Sequence, residues 1–280
     1  MRSLRSASAL VFLVAADPVL QASSTVAACL RGGQATARWE LPPAMREVSG
    51  LAFAADGRLV LHNDERGVVM ALDAATGRPL GRYRLGTGLR ADFEGIAVVG
   101  RKLMVTTSNG ELVEADLPAK SAPDTVLAVT AIRTGIGSQC EVEGLSYDHV
   151  DRVLLMACKA PRGATPPGTV AVFRFDPATR KLASPDRVSF SERDLSRGRS
   201  GRAFRPSTIE VDPRSGEWVM VASADQAVAT VDRGGRVLAT GKLGGRHPQP
   251  EGLALSPDGS VYVADEGGKG SGTVTVYACR

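Results

Sequence analysis

Three stretches of the chain share one pattern: "DFEGIAV" (Asp92–Val98), "EVEGLSYD" (Glu141–Asp148) and "QPEGLALSPDG" (Gln249–Gly259). Each puts a carboxylate and a glycine ahead of an apolar run, such as Ile96, Ala97, Val98 or Leu253, Ala254, Leu255. Two more keep the frame with serine in the glutamate position: "EVSGLAFAADG" (Glu47–Gly57) and "RPSTIEVDPRSG" (Arg205–Gly216). Ser49, Glu94, Glu143, Ser207 and Glu251 are thus spaced by 45, 49, 64 and 44 residues. A repeat of about 40–50 residues is that of a four-stranded propeller blade.

Each unit continues in the same way. Turns such as "AADGR", "DPRSG" and "SPDGS" lead to a second strand: "LVLHND", "KLMVTTS", "VLLMACK", "WVMVASAD" and "VYVADE". A third follows in "VVMALD", "ELVEAD", "TVAVFRFD", "AVATVD" and "TVTVYA", and a weaker fourth in "GRYRL" and "RVLATGKL". Turn signals at this density, β-branched runs and the lack of a convincing amphipathic helix predict an all-β chain. The alternation of large and small residues suits sheets buried on both faces, as in stacked blades. The fifth unit ends without a fourth strand, and "ATARWELP" (Ala35–Pro42) has no partner of its own. The expectation is a five-bladed β-propeller of four-stranded antiparallel blades over residues 35–280, its ring closed by the N-terminal strand. The long step into the fourth unit, "SERDLSRGRSGRAF" (Ser191–Phe204), reads as a loop insertion and not a sixth blade.

The bulk figures fit an ordinary globular protein, with 43% hydrophobic and 23% charged residues. A formal net charge of +4 without a long basic block gives no sign of a nucleic-acid partner. The first residues read as an export signal: "MRSLR" is a basic start and "ALVFLVAA" (Ala9–Ala16) a short apolar core. Asp17 and Pro18 end that core, against a spanning helix. Residues 1–28 are therefore set aside as a leader. Cleavage among the small residues before Cys29 gives a free protein. Alternatively, "VAAC" (Val26–Cys29) resembles a lipobox, with Cys29 lipidated and the chain tethered to a membrane. Cys29, Cys140, Cys158 and Cys279 form an even set, which in an exported chain suggests disulfides. Cys140 and Cys158 flank the first two strands of unit three at one end. Cys29 and Cys279 lie near the ring seam and can clip it.

In a propeller the first strand of each blade is innermost, and its start shares a face with the end of the second. Glu94, Glu143 and Glu251 should therefore converge on the axis, joined by second-strand ends at Asn63, Asp64, Ser108, Lys159, Ser223 and Asp265. Two residues before the glutamate position lies another ring: Glu47, Asp92, Glu141, Arg205 and Gln249. Carboxylates crowded at an axis raise one another's pKa, and a cation removes the conflict. Oxygen donors from separate blades point to calcium (Ca2+) and away from zinc or copper. The expected ligands are Glu94, Glu143, Glu251, Asn63 and Asp265. Lys159, Arg205 and Asp64 are candidates for holding a substrate or balancing charge, and Lys159 is also the counter-cation of a metal-free reading.

The set "EVSGLAF", "ND", "DFEGIAV", "EVEGLSYD", "ACK", "RPSTIEVDP", "QPEGLALSPDG" and "ADEG" resembles the SdiA-regulated, YjiK/CarP-like family, from about Glu47 to Gly267. The resemblance implies a five-bladed propeller with a calcium site, often associated with the bacterial cell envelope. Ser49 and Ser207 depart from the glutamate pattern. Two functions stay open. One is an exported periplasmic or membrane-associated binding, scaffold or calcium-linked signalling protein, monomeric, whose partner is a small anionic ligand or an envelope protein. The other is a calcium-dependent lactonase, esterase or phytase-like phosphoesterase, with Glu143 or Asp265 as base and Lys159 facing the oxyanion. His62 and His247 stand near the mouth as alternative acid/base groups, although a lone histidine is more often a packed residue. "GLSYD" misses the nucleophile-elbow pattern, and the glycine-rich segments read as turns.

Overall fold

The computed structural model describes residues 19–119, 123–163, 166–197 and 203–279, with side chains from residue 26 onward. Five antiparallel four-stranded blades form a five-bladed β-propeller. Their innermost strands are Val48–Phe53, Phe93–Val99, Cys140–Asp148, Thr208–Val211 and Pro250–Leu255. The second strands are Leu59–Asn63, Lys102–Thr107, Val153–Pro161, Trp218–Ala222 and Ser260–Asp265.

Period-two alternation puts successive side chains on opposite faces of each sheet, and here both faces are buried. In blade 1, Val60 and Val69 pack toward blade 2 with Ile96, Leu103 and Val105. Leu59 and Leu61 of the same strands pack toward blade 5 with Ala254, Tyr262 and Val276. Blades 2 and 3, 3 and 4, and 4 and 5 share apolar clusters of the same kind. Polar struts cross the interfaces too. Arg233 of blade 4 donates to both oxygens of the fully buried Asp148 of blade 3 (Nε 2.8 Å, Nη2 3.0 Å), and Trp218 Nε1 donates to the same carboxylate at 3.1 Å.

The ring closes as the sequence predicts. Ala35–Glu40 pairs antiparallel with Thr273–Ala278, register Trp39↔Val274 and Glu40↔Thr273. Both disulfides form. Cys29–Cys279 spans the seam with a Cα–Cα distance of 5.5 Å, and Cys140–Cys158 joins the first two strands of blade 3. Residues 1–18 lie outside the described residues, and Val19–Gly32 is a helix that packs at the seam. Val26 and Leu30 are buried with Val228, Leu243, Val261 and Tyr277, and Gly244 N donates to Leu30 O at 2.7 Å. Among the described residues, Val26 and Leu30 thus pack with the blades ahead of the first strand at Ala35. Cys29 spends its sulfur on Cys279, and a lipid thioether needs that same atom.

Blade 2 holds a feature the repeat did not reveal. Its fourth strand is Val129–Ile132, reached after Thr125–Leu127 has paired parallel with the outer strand of blade 1, Pro79–Leu85. Among its described residues, the insertion before blade 4 contains a four-residue helix, Glu192–Leu195, capped by Ser191 Oγ. Residues 198–202 within it lie outside the described residues.

Candidate metal centre

The glutamate–glycine pairs are β-bulges. In blade 2 the register passes from Phe93↔Thr107 to Gly95↔Thr106, leaving Glu94 unpaired. The same slip leaves out Glu143, Glu251 and, in blade 1, Ser49. A bulged residue is released from the ladder and its side chain re-aimed. The glycine that follows permits close approach. A Cβ on Gly95 would lie 2.6 Å from Leu145 N of blade 3, and one on Gly144 would lie 2.9 Å from Ile209 N of blade 4. Glutamate aims inward, and glycine lets the next inner strand come close.

Hydrogen bonds between blades fix this mouth. Phe93 N donates to Asp64 O (2.6 Å), Val142 N to Ser108 O (2.9 Å) and Ser207 Oγ to Pro250 O (2.7 Å). Each ties the start of one inner strand to a neighbouring blade.

The three bulge glutamates feel one another's charge. Burial first, then the charges of Glu143 and Asp92, push Glu94 up to about 9. Burial and Glu143 push Glu251 up to about 8, opposed by a hydrogen bond from Ser223. Glu143, 4% exposed, is also raised by burial, although Lys159 Nζ donates to its Oε1 at 2.6 Å and pulls the other way. Burial would lower the Lys159 ammonium, but its partner Glu143 and the charges of Glu94 and Glu251 outweigh that and raise it.

Oxygens that share one calcium ion at about 2.3–2.6 Å lie within roughly 5 Å of one another. Among the described residues, the three-residue set whose ligating atoms all fall within 4.8 Å is Glu47, Asp64 and Glu266, at the junction of blades 1 and 5. The bulge glutamates do not form such a set. Asp64 is pushed up to about 6 by burial and by Glu47, Glu65 and Asp92, against a hydrogen bond from Glu65 N. Glu266 is pushed up to about 7 by burial and by Asp64, Glu47 and Glu143. Asp64 N donates to Glu47 O (2.9 Å), and the Glu266 carboxylate accepts from Gln249 Nε2. The outer triplet thus sits against the inner trio, linked through Glu143.

Two expected ligands, Asn63 and Asp265, make hydrogen bonds within the fold. Asn63 Oδ1 accepts from Arg66 N at 2.8 Å and its Nδ2 donates to Glu47 O at 3.3 Å, so it builds the turn after its strand. Asp265 Oδ2 bonds His247 Nδ1 at 2.7 Å, and Oδ1 accepts from Gln249 N at 3.3 Å. His247 Nε2 meets Tyr277 Oη at 2.7 Å. The chain is satisfied when Nδ1–H donates to Asp265 and the Tyr277 hydroxyl donates to Nε2. This buried relay anchors the loop entering Glu251's strand. Likewise His62 is fully packed, its pKa held down to about 4 by burial. Glu47 and Glu266 were not assigned as ligands from sequence, although "ADEG" carries Glu266 beside Asp265.

Beside the axis a cleft of about 500 Å3 opens over blades 3, 4 and 5, with Glu143, Lys159, Arg205, Ser223 and Glu251 on its walls. Arg205 is tied to Asp225 through its backbone N–H (3.1 Å) and Nε (3.6 Å).

The family model described as SdiA-regulated matches residues 33–268, and with them every bulge and the outer triplet. The chain belongs to the SdiA-regulated family. No curated protein matches it in sequence. Among solved structures it is similar to a glutaminyl cyclase from Myxococcus xanthus (15% identity, TM-score 0.58), covering 87% of this chain and 94% of that one. It is also similar to the PQQ-bound aldose sugar dehydrogenase of Streptomyces coelicolor (13%, 0.53), covering 86% and 98%. A luciferin-regenerating enzyme matches at 10% identity and TM-score 0.52, covering 86% and 94%. At these identities the likeness is one of fold.

Proposed function

We propose that this protein is an exported calcium-binding propeller of the bacterial envelope, acting as a binding or calcium-linked signalling module. The observation that carries the cation is the Glu47–Asp64–Glu266 triplet, whose oxygens are close enough to share one ion. Its donors are hard oxygens from two blades, which suits calcium. The charge balance points the same way. Six carboxylates (Glu47, Asp64, Glu94, Glu143, Glu251 and Glu266) face or adjoin the mouth, with Lys159 on Glu143 and Arg46 on Glu47 as counter-charges. A divalent ion offsets part of that surplus, and the inner glutamates act as a surrounding charge shell.

Export is supported by the basic-then-apolar start and by two disulfides, which persist in oxidising compartments. No helix of the described residues is long and apolar enough to cross a membrane. A second reading, a calcium-dependent hydrolase, is favoured by the open cleft beside the inner glutamates. The bound ion would supply Lewis-acid polarisation of a carbonyl or phosphoryl oxygen. In that reading Lys159 faces the negative charge and Glu143 holds Lys159 in place.

The test is thermal melting of the mature protein in EDTA, in calcium and in magnesium, with Glu266→Gln and Glu143→Gln variants. Calcium at a hundredfold excess over its dissociation constant stabilises the folded state by about 2.7 kcal/mol. A calcium-selective gain abolished by Glu266→Gln and retained in Glu143→Gln is expected. No gain with either ion overturns the cation reading.

A further inference from the structure

Blades 5, 1 and 2 bring Glu266, Glu47, Asp64 and Asp92 to the mouth, whereas the cleft over blades 3, 4 and 5 sets the basic side chains Lys159 and Arg205 beside the carboxyl groups of Glu143 and Glu251. Lys159 donates one ammonium N–H to Glu143 Oε1, and its side chain stays 40% exposed. Arg205 is held at its backbone and Nε by Asp225, and its side chain is 53% exposed. Among the described residues the terminal nitrogens of Arg205 make no hydrogen bond. Arg205 lines the cleft together with Lys159.

We propose that this cleft binds a small oxyanion, a phosphate ester or a carboxylate, between the Arg205 guanidinium and the Lys159 ammonium. A guanidinium offers a planar fork that matches two oxygens of either group, and an ammonium adds a compact point charge. Lys159 bridges the ligand to Glu143, so that buried carboxylate does not face the anion uncompensated. The volume, about 500 Å3, lies within the usual range for small-ligand sites. Ser223 adds a hydroxyl on the same wall, shared with Glu251. The inference goes beyond the cation reading and stands without it, because both basic groups belong to the chain whether or not an ion is bound.

The test is calorimetric titration of the full chain with methyl phosphate and with acetate, in chelator and low salt. The variants are Arg205→Gln, Lys159→Met and, as a control on an exposed arginine away from the cleft walls, Arg197→Gln. Losing one charge-assisted contact weakens binding by about tenfold or more. The expected result is saturable binding of one probe, weakened about tenfold in Arg205→Gln and in Lys159→Met and unchanged in Arg197→Gln. The probe that binds identifies phosphate or carboxylate as the natural group. Arg205→Gln must melt like the parent and keep its calcium affinity, so its failure to bind the anion is separable from failure of the cation site. Equal affinity in all variants means diffuse surface attraction and overturns the proposal. So does the absence of binding by either probe.

Discussion

Acidification discriminates between the two sets of carboxylates that can hold the ion. A cation on the outer triplet needs Asp64 and Glu266 ionised, and their pKa values are about 6 and about 7. At pH 6 Asp64 is about half protonated and Glu266 about nine-tenths, whereas at pH 8 both are almost fully ionised. Apparent calcium affinity should therefore fall about 20-fold between pH 8 and pH 6, or about 1.8 kcal/mol. A cation that instead needs Glu94 and Glu251 ionised, at about 9 and about 8, would lose more than about a thousandfold over the same interval. Isothermal titration at pH 6, 7 and 8, in two buffers of different ionisation enthalpy, reads both affinity and protons released. On the outer site, release should be about 0.6 proton at pH 7 and about 1.4 at pH 6. The calcium-free protein should behave oppositely in stability. Both groups have folded pKa values raised above their unfolded ones, so their contribution is present below about pH 4 and lost as pH rises through 6 and 7. An affinity that changes less than about threefold from pH 8 to pH 6 refutes the reasoning, because raised carboxylates at the ion cannot escape this linkage.

Four further outcomes follow from the fold. Gly95→Ala should lower the melting temperature and reduce calcium binding, since its Cβ would meet Leu145 N at 2.6 Å and push two inner strands apart. Unchanged stability would mean the bulge glycine is not needed for close approach. Asp148→Ala should cost about 3–5 kcal/mol in chemical denaturation by stranding Arg233 and the Trp218 indole N–H, while calcium affinity stays near the parent's. Replacing Cys29 and Cys279 by serine opens a clip spanning 250 residues, worth about 5 kcal/mol on the chain-entropy account, read by urea denaturation. Sequencing the N-terminus of exported protein should find a start before Val26, because later cleavage removes buried Val26 from the seam.

The blade repeat was legible because period-two patterning and the turn signals recur at each glutamate–glycine bulge. Ring closure followed from one unpaired strand at each end. The bulges themselves were visible only as the residue pair, since a register slip has no composition of its own. The ligand set was half legible. Sequence placed the bulge glutamates on one mouth, and they do interact there, but distances between side chains on different blades are tertiary facts. Sequence offered Lys159 as a counter-cation, and the structure sets it on Glu143 in the adjoining strand of blade 3. Sequence could not show that the side chains of Asn63 and Asp265 also bond a local turn and His247, because those partners are set by the fold. Glu266 lay one residue beyond the position the repeat emphasised. The seam helix escaped because its small residues, Ala22 to Ala28, read equally as a cleavage region. Its burial depends on contacts with blades far along the chain.

The most direct test of the cation's place is a crystal structure of the mature protein grown in calcium, with anomalous scattering recorded. One strong peak is expected, bonded at about 2.3–2.6 Å to carboxylate oxygens of Glu47, Asp64 and Glu266, with the Lys159–Glu143 pair intact. A peak ligated by Glu94, Glu143 and Glu251 with Lys159 displaced, or a mouth that stays free of metal at saturating calcium, would contradict it.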